Sequence, residues 1–259
     1  MGTKKQNNRN TTNGWSEKQK NIVTAAVLVV FAALIVGICI LAVNCNKSGN
    51  GAGTDSSSSQ TDPGPRETLD PVTSEYPTAE ARTDYVSLTV QYVTENNKVA
   101  TGDIVVHLRP DVAPITVENF KKLVDSGFYN NLTFHRIIPG FMIQGGDPKG
   151  TGQGGSPDTI KGEFSKNGVE NPLSHKRGVI SMARTGYDMN SASSQFFIVH
   201  ADSTYLDGDY AAFGEVVSGM EVVDGIARTP TDPASSEQST PVTPPVILKA
   251  CFVNPPEGS

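Results

Sequence analysis

From Ile22 to Val43 the chain runs for 22 residues without one charged side chain, the most polar being Thr24, Gly37 and Cys39. As a helix rising 1.5 Å per residue, this stretch spans about 33 Å, enough for a hydrocarbon layer about 30 Å thick. A helix of this length buried in a soluble core would normally show a polar stripe, and this one shows none. Two cleaved alternatives stand beside an uncleaved anchor. A signal peptide usually has an apolar region of about 7 to 15 residues and a small-x-small site, and no such site precedes Asn44. Leu41-Ala42-Val43-Asn44-Cys45 faintly resembles a lipoprotein box, with Asn44 where a small residue is expected. The uncleaved anchor is the better fit, and it carries a direction. Lys4, Lys5, Arg9, Lys18 and Lys20 lie on its N-terminal side against Glu17 alone. The positive-inside rule then keeps residues 1–21 in the cytoplasm as a basic tail, makes 22–43 a transmembrane helix and exports the chain from residue 44 onward. The expected location is the cell membrane, crossed once, with an extracytoplasmic main body.

Charge narrows the partners of that body. The net charge of −6 is +4 over residues 1–20, which leaves −10 for the remainder. An acidic body argues against a nucleic-acid partner, whose phosphates demand a basic face. Cys39, Cys45 and Cys251 form neither a zinc spacing nor a disulfide framework. Residues 44–83 contain Ser56-Ser57-Ser58-Ser59, several glycines, Pro63, Pro65 and Pro71, and offer no apolar face to bury. They read as a disordered, flexible Ser/Gly/Pro linker with an r.m.s. reach on the order of 35 Å. A tether that lets a domain sweep the space near the bilayer and an inert spacer predict the same composition.

The texture changes at residue 84, and 84–255 reads as one folded domain. Val86 to Tyr92 alternates strictly and predicts a strand, and Gly102–Leu108 predicts a second after a turn at Glu95-Asn96-Asn97. Thr116 is placed to cap a helix carrying Phe120, Leu123 and Val124 on one face and stopping at Gly127. Further strands are expected near Val179–Met182, Gln195–Ile198, Phe213–Val217 and Val246–Val253. Ser218 with Glu221 three residues on has capping-box spacing, which starts a second helix carrying Val222, Val223 and Ile226. With a hairpin in the middle, about eight short strands and two helices favour a mainly β fold: a closed eight-stranded antiparallel barrel capped by two α-helices. Gly150-Thr151-Gly152-Gln153-Gly154-Gly155 looks like a phosphate loop. It lacks the Gly-Lys-Ser/Thr ending and no helix pattern comes after it, so a bare loop is expected.

The hairpin is Thr133–Pro148, reading TFHRIIPGFMIQGGDP, with a turn signal at Pro139-Gly140. Period-two alternation sends Arg136 and Gln144 away from the core, beside Phe141 and Met142, which the turn brings round. A guanidinium next to an apolar floor suits a partly apolar ligand that carries carbonyl groups. A plain edge hairpin with a surface arginine explains the same letters. Alternation places His135 opposite Arg136, which favours a structural role over general base. His107, His175 and His200 share no metal-like spacing and read as incidental, and turn chemistry accounts for Asp147 and Asp207.

Three blocks carry a likeness to a known family: Phe134 to Asp147, Ser193-Ser194-Gln195-Phe196-Phe197-Ile198, and Leu206-Asp207-Gly208 with Phe213-Gly214. From about Tyr85 to Val253 the chain closely resembles the cyclophilin-type peptidyl-prolyl cis-trans isomerases, whose fold is an eight-stranded antiparallel barrel capped by two helices. The resemblance implies an enzyme that rotates X-Pro bonds and assists protein folding. It makes Arg136 the catalytic arginine and lines the proline pocket with Phe141, Met142, Phe197 and Leu206. By the same likeness Gln144 and Gln195 bind the peptide backbone, and Ala183 contacts the residue before the proline. Ser181-Met182-Ala183-Arg184-Thr185 resembles the bacterial branch. Two positions depart from many eukaryotic members: a tryptophan is Tyr205 here, which bears on cyclosporin-class binding, and a pocket histidine is Tyr210. No metal or cofactor is implied. The expected partners are proline-containing peptides and unfolded exported proteins, met by a monomeric domain. A proline-recognising binding module that needs no turnover is the rival from another class.

Overall fold

A strand with an apolar face needs something to cover it, and a sheet rolled on itself supplies that cover from its own residues. The structure, a computed structural model, describes Tyr76 and residues 78–256. The expected anchor, the basic tail and most of the expected linker lie outside the described residues. Among the described residues no helix is long and apolar enough to cross a membrane.

Eight strands form the barrel: β1 (Tyr85–Val93), β2 (Val99–Leu108), β3 (Thr133–Ile138), β4 (Met142–Asp147), β5 (Val179–Met182), β6 (Phe196–Val199), β7 (Ala212–Ser218) and β8 (Val246–Phe252). Every pairing is antiparallel, and the order β1-β2-β7-β5-β6-β4-β3-β8 closes back on β1, so no long edge is left to recruit another chain. The seam between β3 and β8 is thin, a single pair at Thr133 and Val246. The loop before β8 completes it, because Ile137 N–H donates to the Ser239 carbonyl and Phe134 N–H to that of Pro245.

Alternation decides what enters the barrel. Val86, Leu88 and Val90 of β1 are fully buried in the interior. Helix α1 (Pro114–Asp125) drives Phe120 among Tyr129, Phe196 and Phe213, with ring centroids 5.0, 5.7 and 5.2 Å away. Helix α2 (Met220–Ala227) adds Val222, Val223, Ile226 and Ala227 to the same core.

Four local expectations are corrected. Thr116 does not cap α1, which starts at Pro114 with the proline in its first turn. The buried Glu163 carboxylate accepts from Ile115 N–H, Thr116 N–H and the Thr116 hydroxyl, so a carboxylate from 47 residues downstream satisfies the helix's unpaired donors. Ser218 does not cap α2. It ends β7 and pairs with the Tyr76 hydroxyl at 2.7 Å, while Gly219 turns the chain at φ 88°. A Cβ on Gly219 would sit 2.0 Å from the Asp103 carbonyl, so only glycine fits there. Nor does the expected linker extend to residue 83. Thr78 bridges to Val253, Ala79 N–H donates to the Phe252 carbonyl and the Thr83 hydroxyl to that of Val253.

The fourth correction shapes the site. Strict alternation along β3 would put Phe134 and Arg136 on one face. Instead the register steps from Phe134 opposite Gly145 to Arg136 opposite Gln144, two residues against one, so His135 is a β-bulge. The extra residue lets Phe134 stay in the core while Arg136 faces out. His135 is buried against the glycine-rich loop, and burial pushes its pKa down.

Candidate active site

The outward residues of four strands meet in one row. Arg136 on β3 is opposite Gln144 on β4, Gln144 is opposite Phe197 on β6, and Phe197 is opposite Ser181 on β5. One step along, Ile138, Met142 and Val199 form a second row. Inward residues on the same strands, Ile143, Phe196 and Ile198, belong to the barrel core. The outward apolar ones form a separate cluster of Met142, Phe197, Val199 and Leu206, against which Phe141, Ala183 and Tyr210 pack. Met142, Phe197 and Leu206 make its floor with 1, 5 and 9 % exposure, and Phe141, Ala183 and Tyr210 are half-buried around it. Tyr205 stands apart, exposed, with its ring 5.9 Å from that of Phe141.

A polar chain borders this floor. Arg136 Nη1 donates to Gln144 Oε1 at 3.2 Å and approaches Met142 Sδ at 3.8 Å. Gln144 Nε2 donates to Gln195 Oε1 at 2.9 Å, and Gln195 Nε2 donates to the carbonyls of Gly152 and Gly154. Each amide is oriented by its neighbour. The glycine-rich loop holds Gln195 and turns its amides inward: Lys149, Thr151, Gly152 and Gly154 all donate N–H to the buried Asp147 carboxylate. Burial raises the Asp147 pKa, but these four donors outweigh it and leave it below the usual carboxylate range. With its amides so engaged, the loop has none of the phosphate-loop character that its spelling suggests.

Three supports carry no site signal in the sequence. His175, 1 % exposed, stacks on the Phe197 ring with centroids 6.0 Å apart and planes at 17°. Its Nδ1 lies 2.8 Å from Asp207 Oδ1 and its Nε2 3.0 Å from the Ser181 hydroxyl. The carboxylate assigns the proton to Nδ1, so Nε2 accepts from Ser181. Burial outweighs Asp207 and pushes the His175 pKa down, which keeps the ring neutral at neutral pH. His200 takes Gly140 N–H on its Nδ1, and its backbone N–H donates to the Phe141 carbonyl, which fixes the turn presenting Phe141. Both histidines read as incidental in the sequence, and both are props. Glu237, from the loop before β8, receives Arg136 Nε–H at 2.9 Å and Nη2–H at 2.7 Å on one oxygen. No local signal points to it.

All ten residues singled out by the sequence are therefore brought to one outer face, Tyr205 at its margin. The face offers one fixed guanidinium, two oriented amides and an apolar floor. That set suits an apolar ring flanked by peptide carbonyls.

Comparison with known proteins agrees. The family model described as "Cyclophilin type peptidyl-prolyl cis-trans isomerase/CLD" matches residues 90–252. Peptidyl-prolyl cis-trans isomerase B of Bacillus subtilis (strain 168) is 51 % identical over 121 residues, which is 47 % of this chain and 80 % of that protein. Peptidyl-prolyl cis-trans isomerase A of Dickeya dadantii (strain 3937) is 44 % identical over 162 residues, 60 % of this chain and 81 % of that protein. Among solved structures, a Cryptosporidium parvum cyclophilin type isomerase crystallised in the presence of the dipeptide Ala-Pro aligns with TM-score 0.53 and 30 % identity, over 64 % of this chain and 99 % of that one. The chain belongs to the cyclophilin type peptidyl-prolyl cis-trans isomerases, and it is an enzyme of that class.

Proposed function

We propose that X-Pro bonds turn over on the Arg136 face, and that this happens in exported proteins folding at the outer side of the cytoplasmic membrane. The row that joins Arg136 and Gln144 to Phe197 carries the first half of this reading. Rotation about the X-Pro bond must break amide resonance, with a barrier of about 18–20 kcal/mol. In the twisted state the proline nitrogen becomes pyramidal and regains a lone pair. A donor aimed at that lone pair binds the twisted state better than the planar one, as catalysis requires. Arg136 is that donor, because a guanidinium stays charged and holds its N–H groups in a fixed fork. Phe141, Met142, Phe197 and Leu206 grip the ring and exclude water, which weakens the charge-separated resonance form. Gln144 and Gln195 hold the peptide groups on either side, Ala183 meets the residue before the proline, and Tyr205 and Tyr210 flank the pocket. No nucleophile takes part.

The test is isomerisation of a cis-prolyl peptide by the wild-type protein and by Arg136→Ala. The variant is expected to lose about 10²–10³-fold in rate, the usual effect of removing a transition-state donor. Equal rates would remove Arg136 from the mechanism.

The second half rests on the uncharged run 22–43 and its basic N-terminal flank. The reading is a single-pass anchor, a cytoplasmic tail, and a monomeric extracytoplasmic domain of the bacterial branch acting on unfolded exported chains. Protease added outside intact cells is expected to release the domain by cutting between residues 44 and 75. A domain fully protected until lysis would reverse the orientation.

A further inference from the structure

The loop from Thr229 to Pro245 reads as a bare Pro/Ser/Thr connection, yet it reaches the arginine. It is stitched to itself, with Asp232 N–H on the Thr240 carbonyl, Val242 N–H on that of Pro230, and a bridge from Thr231 to Pro241. It is also stitched to β3, through Ile137 N–H on the Ser239 carbonyl, one residue from Arg136. Between these ties Glu237 and Gln238 take left-handed backbone, φ 58° and 51°, which side chains with a Cβ rarely adopt. Such a conformation persists where surrounding contacts impose it, and it is common at sites where geometry matters. Its product is a carboxylate behind the guanidinium: one Glu237 oxygen takes Nε–H and Nη2–H, while Nη1 points to Gln144 and the Met142 sulfur. An exposed ion pair contributes little to stability, and this one leaves about a third of each side chain exposed. Geometry is what it can control.

We infer that Glu237 is a positioning residue for Arg136. It holds the rear edge of the guanidinium, selects one rotamer and leaves Nη1 aimed over the apolar floor. This rests on the reading of Arg136 as the catalytic donor. A free arginine in the same place would sample several rotamers, and misplacement of a catalytic group by about 1 Å is enough to cost a large factor in rate. A carboxylate that merely blocked Arg136 from substrate would act with the opposite sign.

The experiment is a double-mutant cycle in the full chain, with kcat and KM measured separately by exchange spectroscopy on a prolyl peptide. Glu237→Ala is expected to lower kcat about five- to tenfold and to change KM less than twofold. Glu237→Gln keeps an acceptor oxygen and is expected to recover most of the loss. Added to Arg136→Ala, Glu237→Ala should have no further effect. In the wild type the Arg136 Nε–H resonance should be sharp and protected, and Glu237→Ala should broaden it. Unchanged or increased kcat in Glu237→Ala overturns the inference, and so does an equal loss in the Arg136→Ala background. If Glu237→Ala does not fold, Glu237→Gly, which suits the left-handed backbone, decides: a reduced kcat with a broadened Nε–H signal supports the role, and an unchanged kcat overturns it. Full activity in Arg136→Ala alone fails the underlying reading instead, so the two failures are separable.

Discussion

Phe196 and Phe197 are neighbours on β6 and belong to different regions of the molecule. Phe196 points into the barrel, where Phe120, Tyr129 and Phe134 surround it with centroids 5.4 to 6.1 Å away. Phe197 points out, against Met142, Leu206, Tyr210 and the face of His175. Both are almost fully buried, so burial does not tell them apart. The surroundings do. The inner ring set is packed by other rings, whereas the outer one is bordered by a guanidinium and two amides and supported by a neutral histidine on a carboxylate. One strand thus divides alternate residues between the barrel core and the face proposed to take peptide.

The comparison is broken most sharply by truncating each ring. Phe196→Ala should cost about 3–5 kcal/mol in denaturant unfolding, the usual effect of emptying an aromatic site in a packed core. Phe197→Ala should cost about 1–2 kcal/mol, since its cluster is smaller and opens to solvent. Its larger effect should be on catalysis: KM should rise at least about tenfold while the folded fraction at 25 °C stays near one. If the two variants lose stability equally, the division between the two faces is wrong.

A smaller effect sharpens the support under Phe197. The His175 pKa is depressed below 6.5 in the folded protein, mainly by burial. The unfolded chain therefore binds the proton first as pH falls. Stability present above about pH 6.5 is lost on acidification until the folded-state pKa is passed, and then the slope ends. His135 is depressed in the same direction and adds to the same window. Replacing His175 with Gln should flatten part of the melting-temperature slope just below pH 6.5. Below about pH 4 a second loss is expected, because Asp147 and Asp207 both have depressed pKa values and lose their contribution on protonation.

Much of this architecture is legible in local pattern. Eight runs with strand character form eight strands, because alternation and turn chemistry act over a few residues. Phe134 to Asp147 carries half of the site for the same reason: a hairpin keeps Arg136, Phe141, Met142 and Gln144 close in space. Features set by distant contacts are not legible. Glu163 caps α1 from 47 residues away, Asp207 orients His175 across 32, and Glu237 meets Arg136 across 101. The bulge at His135 escapes the sequence for a related cause. It shows only once β4 supplies a register against which to count.

The central claim is that peptide is held on the outward row of β3, β4, β6 and β5 and nowhere else on the barrel. Titrating the isotope-labelled protein with a short X-Pro peptide while following amide and side-chain resonances tests it directly. The account predicts shifts at Arg136, Gln144, Gln195, Phe197 and Leu206, with Val90, Val106 and Val223 unmoved. Shifts centred on those three, with the Arg136 row silent, would contradict it.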